Sequence, residues 1–521
     1  MSAPADVAPP RSTVNESDAA QWQRLSPRML AVHPIQELLR GSPALIALLL
    51  LGHDKANGDY WTLAAIVVVL ALGGARWLTT TYRITGRHVQ VRRGILKRSV
   101  VSAPRDRIRS VDLTSHWLHR LLGLARVTVG TGISDRKDNG LKLDALTVAQ
   151  AESLREQLLH GGSAPVVLPS ARTPAGRTTK VPRASRDEAV DPGVLATWSP
   201  GWIRYGPLSL SGIVTVLVLF AFASQFVSAA HVHLDRVGVL HAVAAQLRAL
   251  PALAAVLEGV VAAAVVVALF STLRYVVRFW NFTLSRTGQG TLHVTHGLVT
   301  TRSTTIEERR LRGVEVSQSL PLRAAGAARL VAVTTGLQVG RGAERGGSLL
   351  LPPAPTAVVR SVAGDVLGDR AVLSAALVPH GTRAHRRRYT RALGLSTLIV
   401  GALLLLAVFA GWPDWAWQAS LALYPLSLLV AADRYRNLGH AVVDGWLVSR
   451  RGCLVRRHSA VTGEGVVGWR MHRTFFQRRV GLMTLVATTA AGRQRYPVLD
   501  VDLATGVAVA DATTPGLLTP F

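Results

Sequence analysis

Residues 117–132 read WLHRLLGLARVTVGTG, and related phrases occur twice more along the chain. Residues 320–336 read LPLRAAGAARLVAVTTG, and residues 475–490 read FFQRRVGLMTLVATTA. Each phrase is a short apolar turn with basic residues that leads into an alternating, strand-like pattern. The recurrence predicts an internal repeat of three similar units.

Glycines at a fixed spacing support the repeat. In each copy one glycine follows an alternating stretch, and a second glycine comes 29 residues later. The coinciding positions are Gly94, Gly297 and Gly452, then Gly123, Gly326 and Gly481, and also Arg120, Arg323 and Arg478. Period-two stretches separated by glycine turns predict antiparallel β structure in every copy.

A helix is predicted at the end of each copy. In the first copy, Thr147 and Gln150 have the spacing of a capping box ahead of an apolar helix face. The second copy has a comparable segment, TAVVRSVAGDVL. The segment ATGVAVADATTPG of the third copy predicts only a weak helix.

The composition is typical of a membrane protein, because 49% of the residues are hydrophobic and only 17% are charged. A bilayer core of about 30 Å needs roughly 20 apolar residues per helix. Six segments meet or approach this length, and they form three pairs: 35–52 with 61–79, 208–227 with 253–273, and 392–410 with 415–431. Each pair precedes one copy of the repeat.

Basic residues orient the predicted helices. The net charge is +28, from 59 Lys and Arg against 31 Asp and Glu, and this excess predicts an anionic partner. The loop within each pair holds few basic residues, whereas the run RAHRRRYTR at 383–391 directly precedes the fifth span. Lys and Arg accumulate in the cytoplasmic flanks of membrane helices. We therefore expect the N-terminus and all three copies to face the cytoplasm, beside the anionic inner leaflet, and expect no nucleic-acid partner.

The fold class predicted from these patterns is mixed: a polytopic α-helical membrane protein with three cytoplasmic antiparallel β domains. The predicted organisation is a disordered N-terminus (1–32), transmembrane pair 1 (33–80), domain 1 (81–160), a disordered linker (161–199), transmembrane pair 2 (200–276), domain 2 (277–372), a basic juxtamembrane segment (373–391), transmembrane pair 3 (392–432), domain 3 (433–512) and a tail (513–521). The single cysteine excludes an intrachain disulfide.

The stretch 82–132, YRITGRHVQVRRGILKRSVVSAPRDRIRSVDLTSHWLHRLLGLARVTVGTG, resembles the bacterial pleckstrin-homology-like (PH-like) domain of the second type, as found in YdbT-like membrane proteins. The resemblance covers most of residues 33–510. It implies a sandwich or barrel of two near-orthogonal antiparallel sheets closed by a C-terminal helix. The third copy departs from the pattern, since Gly465 stands where the others have Arg107 and Arg310.

The resemblance also implies a protein partner, a smaller paralogue with one such domain, and a role in envelope integrity or stress resistance. Arginines of the three copies are the candidate ligand- or partner-binding residues. They are Arg107, Arg109, Arg120, Arg126, Arg323, Arg329, Arg478 and Arg479. Basic residues near an inner leaflet attract anionic headgroups by about 1 kcal/mol each, although any of these arginines could equally be a solvated or carboxylate-paired surface charge.

Few residues have the arrangement that a catalytic site requires, and we predict no enzymatic activity, cofactor or metal. His231, His233 and His241, with Asp235, have a spacing that could hold zinc, but we favour polar residues of an interfacial segment. Glu258 is the one carboxylate well inside a predicted span, and such residues often mark ion or proton paths.

The sequence thus predicts a multi-pass plasma-membrane scaffold or adaptor whose PH-like domains bind protein partners or anionic lipid headgroups. The alternative is a six-span transporter or channel that uses Glu258. The two predictions differ in whether the membrane helices anchor the domains or carry a solute.

Overall fold

The computed structural model describes residues 22–24, 26, 28–29, 63–64, 67, 79–85, 88–93, 99–105, 108, 110–130, 141–160, 193–208, 251–288, 290–335 and 348–517. Contacts divide the chain into two compact units, Met1–Thr131 with Asp135–Val167, and Gly132–Ser134 with Leu168–Phe521. The first unit contains the first copy of the repeat, called domain 1 below. The second unit contains the second and third copies, called domains 2 and 3.

Domain 1 contains two groups of antiparallel strands. The first group is β1 (Gln23–Arg24), β2 (Thr81–Ile84), β3 (His88–Arg93) and β4 (Ser99–Pro104), paired in that order. The second group is β5 (Ser110–His116), β6 (Leu124–Gly130) and β7 (Leu141–Thr147), with the short helix α1 (Trp117–Leu121) between β5 and β6. Helix α2 (Val148–His160) follows, and the predicted capping box is confirmed by hydrogen bonds between Thr147 and Gln150.

Domain 2 repeats this order. Strand β8 (Gly193–Thr197), a 3₁₀ turn (Pro200–Tyr205) and the long helix α3 (Ala252–Phe279) precede it. Strands β9 (Thr283–Thr287), β10 (Thr291–His296) and β11 (Thr300–Glu307) form the first group, and a 3₁₀ turn (Glu308–Arg310) leads on. The second group is β12 (Leu311–Ser319), the short helix α4 (Leu320–Ala324), β13 (Ala327–Thr334) and β14 (Leu349–Pro355). Helices α5 (Thr356–Leu367) and α6 (Ala371–Ser374) complete it.

Domain 3 follows a helical pair made of α7 (Gly381–Ala410), α8 (Trp415–Ser420) and α9 (Leu423–Arg436). Its first group is β15 (Gly439–Val443), β16 (Trp446–Arg451) and β17 (Val455–Thr462), and a 3₁₀ turn (Gly463–Gly465) leads on. Its second group is β18 (Val466–His472), the short helix α10 (Phe475–Arg479), β19 (Leu482–Thr489) and β20 (Arg495–Asp502). Helix α11 (Leu503–Thr513) ends the domain.

The three copies share the predicted repeat: two groups of strands, a short helix within the second group, and a C-terminal helix. The glycine that follows each short helix has the same backbone conformation, with φ of +65° at Gly123, +67° at Gly326 and +69° at Gly481. This left-handed conformation is costly for residues with a Cβ. The cost explains why glycine recurs at this position.

Domains 2 and 3 share one six-stranded antiparallel sheet in the order β14-β13-β12-β17-β16-β15. Strand β12 of domain 2 pairs with β17 of domain 3 from Gly313 opposite Val461 to Ser319 opposite Val455. Gly313 has a φ of +147°, and a Cβ there would lie 2.0 Å from the carbonyl oxygen of Ala460. Glycine is therefore required where β12 meets β17, and we call this contact the β12–β17 junction.

The departure of the third copy at Gly465 has a packing reason in the same place. A Cβ at Gly465 would lie 2.9 Å from the Cβ of Arg312 in domain 2. The arginine that the other copies carry would not fit against domain 2. Neighbouring Glu464 instead lies 3.6 Å from Arg312, measured from Oε2 to Nη1.

Three helical segments are long and apolar enough to cross a membrane: Val260–Phe279 in α3, Gly381–Ala410, and Trp415–Arg436. Their mean hydropathies are 2.2, 2.5 and 1.2, and they overlap the predicted spans 253–273, 392–410 and 415–431. The other predicted spans, 35–52, 61–79 and 208–227, lie outside the described residues except for isolated positions.

The last two of these segments form an antiparallel pair. Tyr435 Oη donates to the carbonyl oxygen of Gly381 at 3.3 Å, and Tyr424 Oη donates to Thr397 Oγ1 at 3.1 Å. The beginning of α7 and the end of α9 therefore lie side by side.

Three predictions of weak or missing order are corrected. Within the predicted disordered N-terminus, Gln23–Arg24 pairs with β2 and Met29 is buried. Within the predicted disordered linker, Gly193–Thr197 forms β8 and pairs with β9. The helix predicted to be weak in the third copy is formed, because Asp502 caps it by accepting a hydrogen bond from the amide of Thr505 at 2.8 Å.

Candidate anchoring and docking site

A buried carboxylate fastens domain 3 to helix α7. The Asp500 side chain is 1% exposed, and its two oxygens each lie 2.6 Å from a guanidinium nitrogen of Arg387 or Arg388. Both arginines belong to the first turns of α7, and Gln477 of α10 also donates to Asp500 at 2.9 Å. Buried ion pairs are costly to break, because one partner would be left as an uncompensated charge. The contact therefore fixes the position of domain 3 on α7.

A second ion pair joins domain 2 to α9. Arg323 donates to both oxygens of Asp433, with distances of 2.6 Å and 3.2 Å. Bidentate pairs of this kind set the orientation of both groups. Arg323 is one of the three arginines at the shared position of the repeat, and its partner lies in the last turn of the helical pair.

Two histidines form a third contact between domain 3 and the segment that precedes α7. His380 Nδ1 lies 2.6 Å from the carbonyl oxygen of Leu499, and His440 Nδ1 lies 2.9 Å from His380 Nε2. A carbonyl can only accept, so His380 donates through Nδ1 and accepts through Nε2. Burial, with the neighbouring His440, lowers the pKa of His380 to about 4. Both rings are thus uncharged at neutral pH.

The β12–β17 junction also contains a buried carboxylate. The Glu315 side chain of β12 is 3% exposed, and its Oε1 lies 3.1 Å from Arg493 Nε and 3.4 Å from Arg457 Nε. Both arginines belong to domain 3. The charge of Glu315 is therefore balanced only when the two domains are joined.

Helix α10 presents an apolar pair flanked by arginines. Thr474 and Gln477 form a capping box at the start of this helix. Phe475 is exposed, and Phe476 is 71% exposed. The Arg479 guanidinium lies 5.8 Å from the centre of the Phe475 ring.

The position of α10 along α7 is fixed by contacts between the two helices. Thr474 Oγ1 accepts a hydrogen bond from Arg387 at 3.5 Å. The apolar run of α7 begins at Ala392, which is about 7.5 Å further along the helix axis at 1.5 Å per residue.

Strand β18 is the counterpart of β12 and lies at the edge of its sheet in the described part of the chain. Both strands have a register shift at the same place, between Leu311 and Gly313 in β12 and between Val466 and Gly468 in β18. A Cβ at Gly468 would meet no atom of the described residues within 4 Å, and Val467 is 71% exposed. We call β18 the open edge, since the strand that is paired in domain 2 has no strand against it among the described residues of domain 3.

The shared arginine does not have the same environment in all three copies. Arg120 is exposed on α1, Arg323 forms the ion pair with Asp433, and Arg478 is exposed on α10. The repeated position therefore does not form one repeated site.

The other predicted arginines are also distributed over several surfaces. Arg126 and Arg329 occupy equivalent, half-buried positions on β6 and β13, and Arg479 is exposed on α10. Arg107 and Arg109 lie outside the described residues.

The intramembrane and metal candidates are described only in part. Glu258 is half-buried on α3, two residues before the apolar segment Val260–Phe279. His231, His233 and His241 lie outside the described residues. Among the residues that are described, no three His, Cys, Asp or Glu side chains are grouped as metal ligands.

Sequence reasoning missed the residues that fasten the domains. The run RAHRRRYTR was interpreted only as a basic flank, yet it contains Arg387 and Arg388, the partners of Asp500. The carboxylates Asp433, Asp500 and Glu315 are far from their arginines in sequence. The only usable signal was the scarcity of acidic residues near so many arginines.

Comparison with known families agrees with the geometry. The model of the bacterial PH domain family matches the chain three times, at residues 40–161, 212–362 and 390–509. Neither a curated protein nor a solved structure matches. The three matches cover well over half of the chain and each includes one copy of the repeat, so this protein belongs to the bacterial PH domain family.

Proposed function

We propose that this chain is a non-enzymatic, multi-pass adaptor of the plasma membrane, whose open edge β18 binds a strand of a protein partner. The evidence for this proposal is the similarity of β12 and β18. Both strands have the same bulge and the same glycine, and β12 receives the third strand of a PH-like domain. Unpaired strand edges add strands from other chains through their free backbone groups. The open edge therefore offers a partner the surface that domain 2 offers to domain 3.

The cytoplasmic orientation is supported by charge at one end of the helical pair. The basic run 383–391 lies in the first turns of α7, and Arg434 and Arg436 lie in the last turn of α9. The opposite end has the exposed indoles Trp412 and Trp415 and no basic residue between α7 and α8. Basic ends mark the cytoplasmic side and tryptophans mark the interfaces.

The chemistry of the partner strand follows from one charged position. In the β12–β17 junction, Glu315 contacts Arg457 of the entering strand. Arg470 stands in β18 where Glu315 stands in β12. An entering strand is thus expected to carry an acidic residue at the position of Arg457.

This charge argues against a second copy as the partner. The third strands of the chain's own domains carry Ser99, Arg302 and Arg457 at the position in question, and none of these is acidic. A separate PH-like protein fits better, such as the smaller single-domain paralogue that the family resemblance implies.

Anionic lipid is the second ligand class in this proposal. Arg387, which contacts Thr474 directly before Phe475 and Phe476, lies about 7.5 Å from the start of the apolar run. This depth is at the outer boundary of the headgroup layer of a bilayer whose total thickness is about 40–45 Å. Aromatic and basic residues at this depth anchor domains to anionic leaflets. This face would hold domain 3 against the membrane and leave β18 accessible.

Affinity purification of the full chain from membranes of its own cell, in mild detergent, tests the adaptor function. Gly468→Val fills the space that an entering strand needs, so loss of a co-purifying PH-like protein is expected while the chain itself stays folded. Arg495→Glu, an exposed change on β20, is the matched control and should retain the partner. Equal recovery of the same partner with Gly468→Val would refute docking on β18.

A further inference from the structure

A cavity of about 390 Å³ lies between domains 2 and 3. Its lining includes Gln318 of β12, Arg360 of α5, Arg450 of β16, and Arg456 and His458 of β17. None of the twelve lining residues is Asp or Glu. The walls therefore combine three guanidinium groups and an imidazole with no carboxylate.

The positive charge of the cavity is offset in part by Asp433, which acts on Arg456 but forms its ion pair with Arg323. Arg456 donates to Gln318 Oε1 at 2.9 Å and to Asn437 Oδ1 at 3.4 Å. Arg450 donates to the carbonyl oxygen of Arg436 at 3.2 Å. These acceptors are uncharged, and within the described residues no ion pair joins Arg360, Arg450 or Arg456 to a carboxylate.

The excess positive charge of the arginines also acts on His458. Burial, followed by the charges of Arg450, Arg360 and Arg456, lowers the pKa of His458 to about 4. Its Nε2 atom is buried and has no hydrogen-bond partner in the described part of the chain. Buried polar atoms in native proteins are normally paired. A ligand with acceptor oxygens and negative charge would satisfy Nε2 and offset the repulsion among the arginines.

We propose that this cavity binds a phosphate group. Arginine forks match phosphate oxygens in geometry and charge. The volume lies within the range of small-molecule sites, about 300–1,000 Å³, and therefore accommodates a phosphate together with a small polar group that carries it. This site is separate from the open edge, and it goes beyond the adaptor role.

The surroundings allow two sources of the phosphate. Arg450 and Arg456 contact Arg436 and Asn437 at the end of α9. These residues lie about 7.5–9 Å beyond Ala431, the last residue of the apolar run, at 1.5 Å per residue. A phosphomonoester headgroup of the inner leaflet and a soluble phosphate are thus both within reach.

Binding to the full chain in nanodiscs tests the site and separates the sources. In nanodiscs of phosphatidylcholine alone, radiolabelled inorganic phosphate is titrated onto the protein. In a second arm, native mass spectrometry counts retained lipid after reconstitution with added phosphatidic acid. Saturable binding in the first arm indicates soluble phosphate, and retention in the second arm alone indicates a headgroup.

Variants connect the binding to the cavity. The double variant Arg360→Gln/Arg450→Gln is expected to weaken binding at least tenfold in whichever arm is positive, whereas Arg495→Gln should bind as the parent does. Without ligand, the double variant should melt at the same or a higher temperature, because repelling charges have been removed. Absence of binding in both arms, or binding that the double variant leaves unchanged, would overturn the proposal.

Discussion

Strands β12 and β18 are the same strand of the repeat in two environments. In domain 2 the strand is covered by β17, its glycine is packed against Ala460, and its carboxylate Glu315 is balanced by two arginines. In domain 3 the glycine is retained, no described residue lies against it, and Arg470 stands in the carboxylate position. The repeat thus uses one strand as an internal joint and as an external surface. We propose that this one charged position determines which strand each edge accepts.

Removing the charge at the equivalent positions of β12 and β18 should give the largest difference in stability between the two strands. Glu315→Gln leaves the partly exposed Arg457 and Arg493 without a carboxylate, and should cost about 1.5–3 kcal/mol of folding free energy. Arg470→Gln at the equivalent, exposed position should change stability by less than about 0.5 kcal/mol. Urea unfolding in detergent, followed by tryptophan fluorescence, measures both. Similar losses for the two variants would mean that β18 is not open.

Replacing the equivalent glycines of β12 and β18 by valine tests whether each strand is covered by a neighbour. Gly313→Val forces a Cβ against the carbonyl of Ala460 in an unfavourable backbone conformation, with an expected cost of about 1–3 kcal/mol from strain alone. Gly468→Val meets no neighbour and should leave the melting temperature unchanged. Thermal unfolding of the two variants in the same detergent provides the measurement, and destabilisation by Gly468→Val would contradict the open edge.

Acid should destabilise the contacts that contain His380 and His458 and should leave the open edge unaffected. The pKa values of His380 and of His458 are about 4 in the folded chain, against 6.5 when unfolded. Above pH 6.5 both states are neutral, and the full stability is present. As the pH falls from 6.5 towards 4, the unfolded chain takes up protons that the folded chain excludes, so stability falls by about 2 kcal/mol per histidine at pH 5.

Melting temperatures at pH 7 and pH 5 measure this dependence. His380→Gln should reduce the difference between the two melting temperatures, because the variant lacks one of the two histidines whose protonation opposes folding. His472→Gln, at an exposed position on the open edge, should leave it unchanged. A parent chain that melts at the same temperature at both pH values would refute the account of the buried imidazoles.

A smaller effect concerns the membrane contact beside the open edge. Spin labels are attached at Phe476→Cys and, as the control, at Asp444→Cys, each in a Cys453→Ser background. Asp444 lies in the turn after β15, a strand of five residues that starts beside α9 and extends about 17 Å at 3.3 Å per residue. In nanodiscs containing phosphatidylglycerol, the label at 476 should be shielded from aqueous relaxants and the label at 444 should not.

Charge removal then sharpens the same experiment. Arg478→Gln/Arg479→Gln should weaken the shielding at position 476 by about 2 kcal/mol in the anionic membrane. It should have no effect in phosphatidylcholine alone. Equal accessibility of both labels in the anionic membrane would rule out the lipid contact of α10.

The smallest effect is expected from Glu258→Gln. If α3 serves as an anchor, this change should leave assembly, partner recovery and cell growth unaltered. A carrier or channel that uses Glu258 would lose function while its folding and assembly stayed normal. The growth of cells that carry the variant, compared with its protein level in membranes, distinguishes these outcomes.

The repeat and its strands were predictable because they depend on local signals. The left-handed glycines Gly123, Gly326 and Gly481 and the period-two strands are read directly from the sequence. The caps of α2 and α11 have equally local causes, although the Asp502 cap was overlooked. Gly465 was visible as a departure from the pattern, but its reason, the side chain of Arg312, lies in another domain.

The candidate sites were far less predictable. Arg387 and Asp500 are separated by most of domain 3, and nothing in either local sequence indicates that they pair. The cavity beside His458 is formed by two copies of the repeat that meet through β12 and β17. Within one copy its arginines look like ordinary surface charges. The sequence therefore indicates an excess of positive charge but does not show that these arginines lie together.

Site-specific photocross-linking at the open edge would show whether β18 binds a partner strand in the cell. A photoreactive amino acid replaces Val467 in the full chain, and light is applied to intact cells before the adduct is mapped by mass spectrometry. We expect one main adduct, to the third strand of a separate PH-like protein that carries an acidic residue at the position of Arg457, and we expect this adduct to be lost with Gly468→Val. Adducts to lipid alone, or a protein adduct that persists with Gly468→Val, would contradict it.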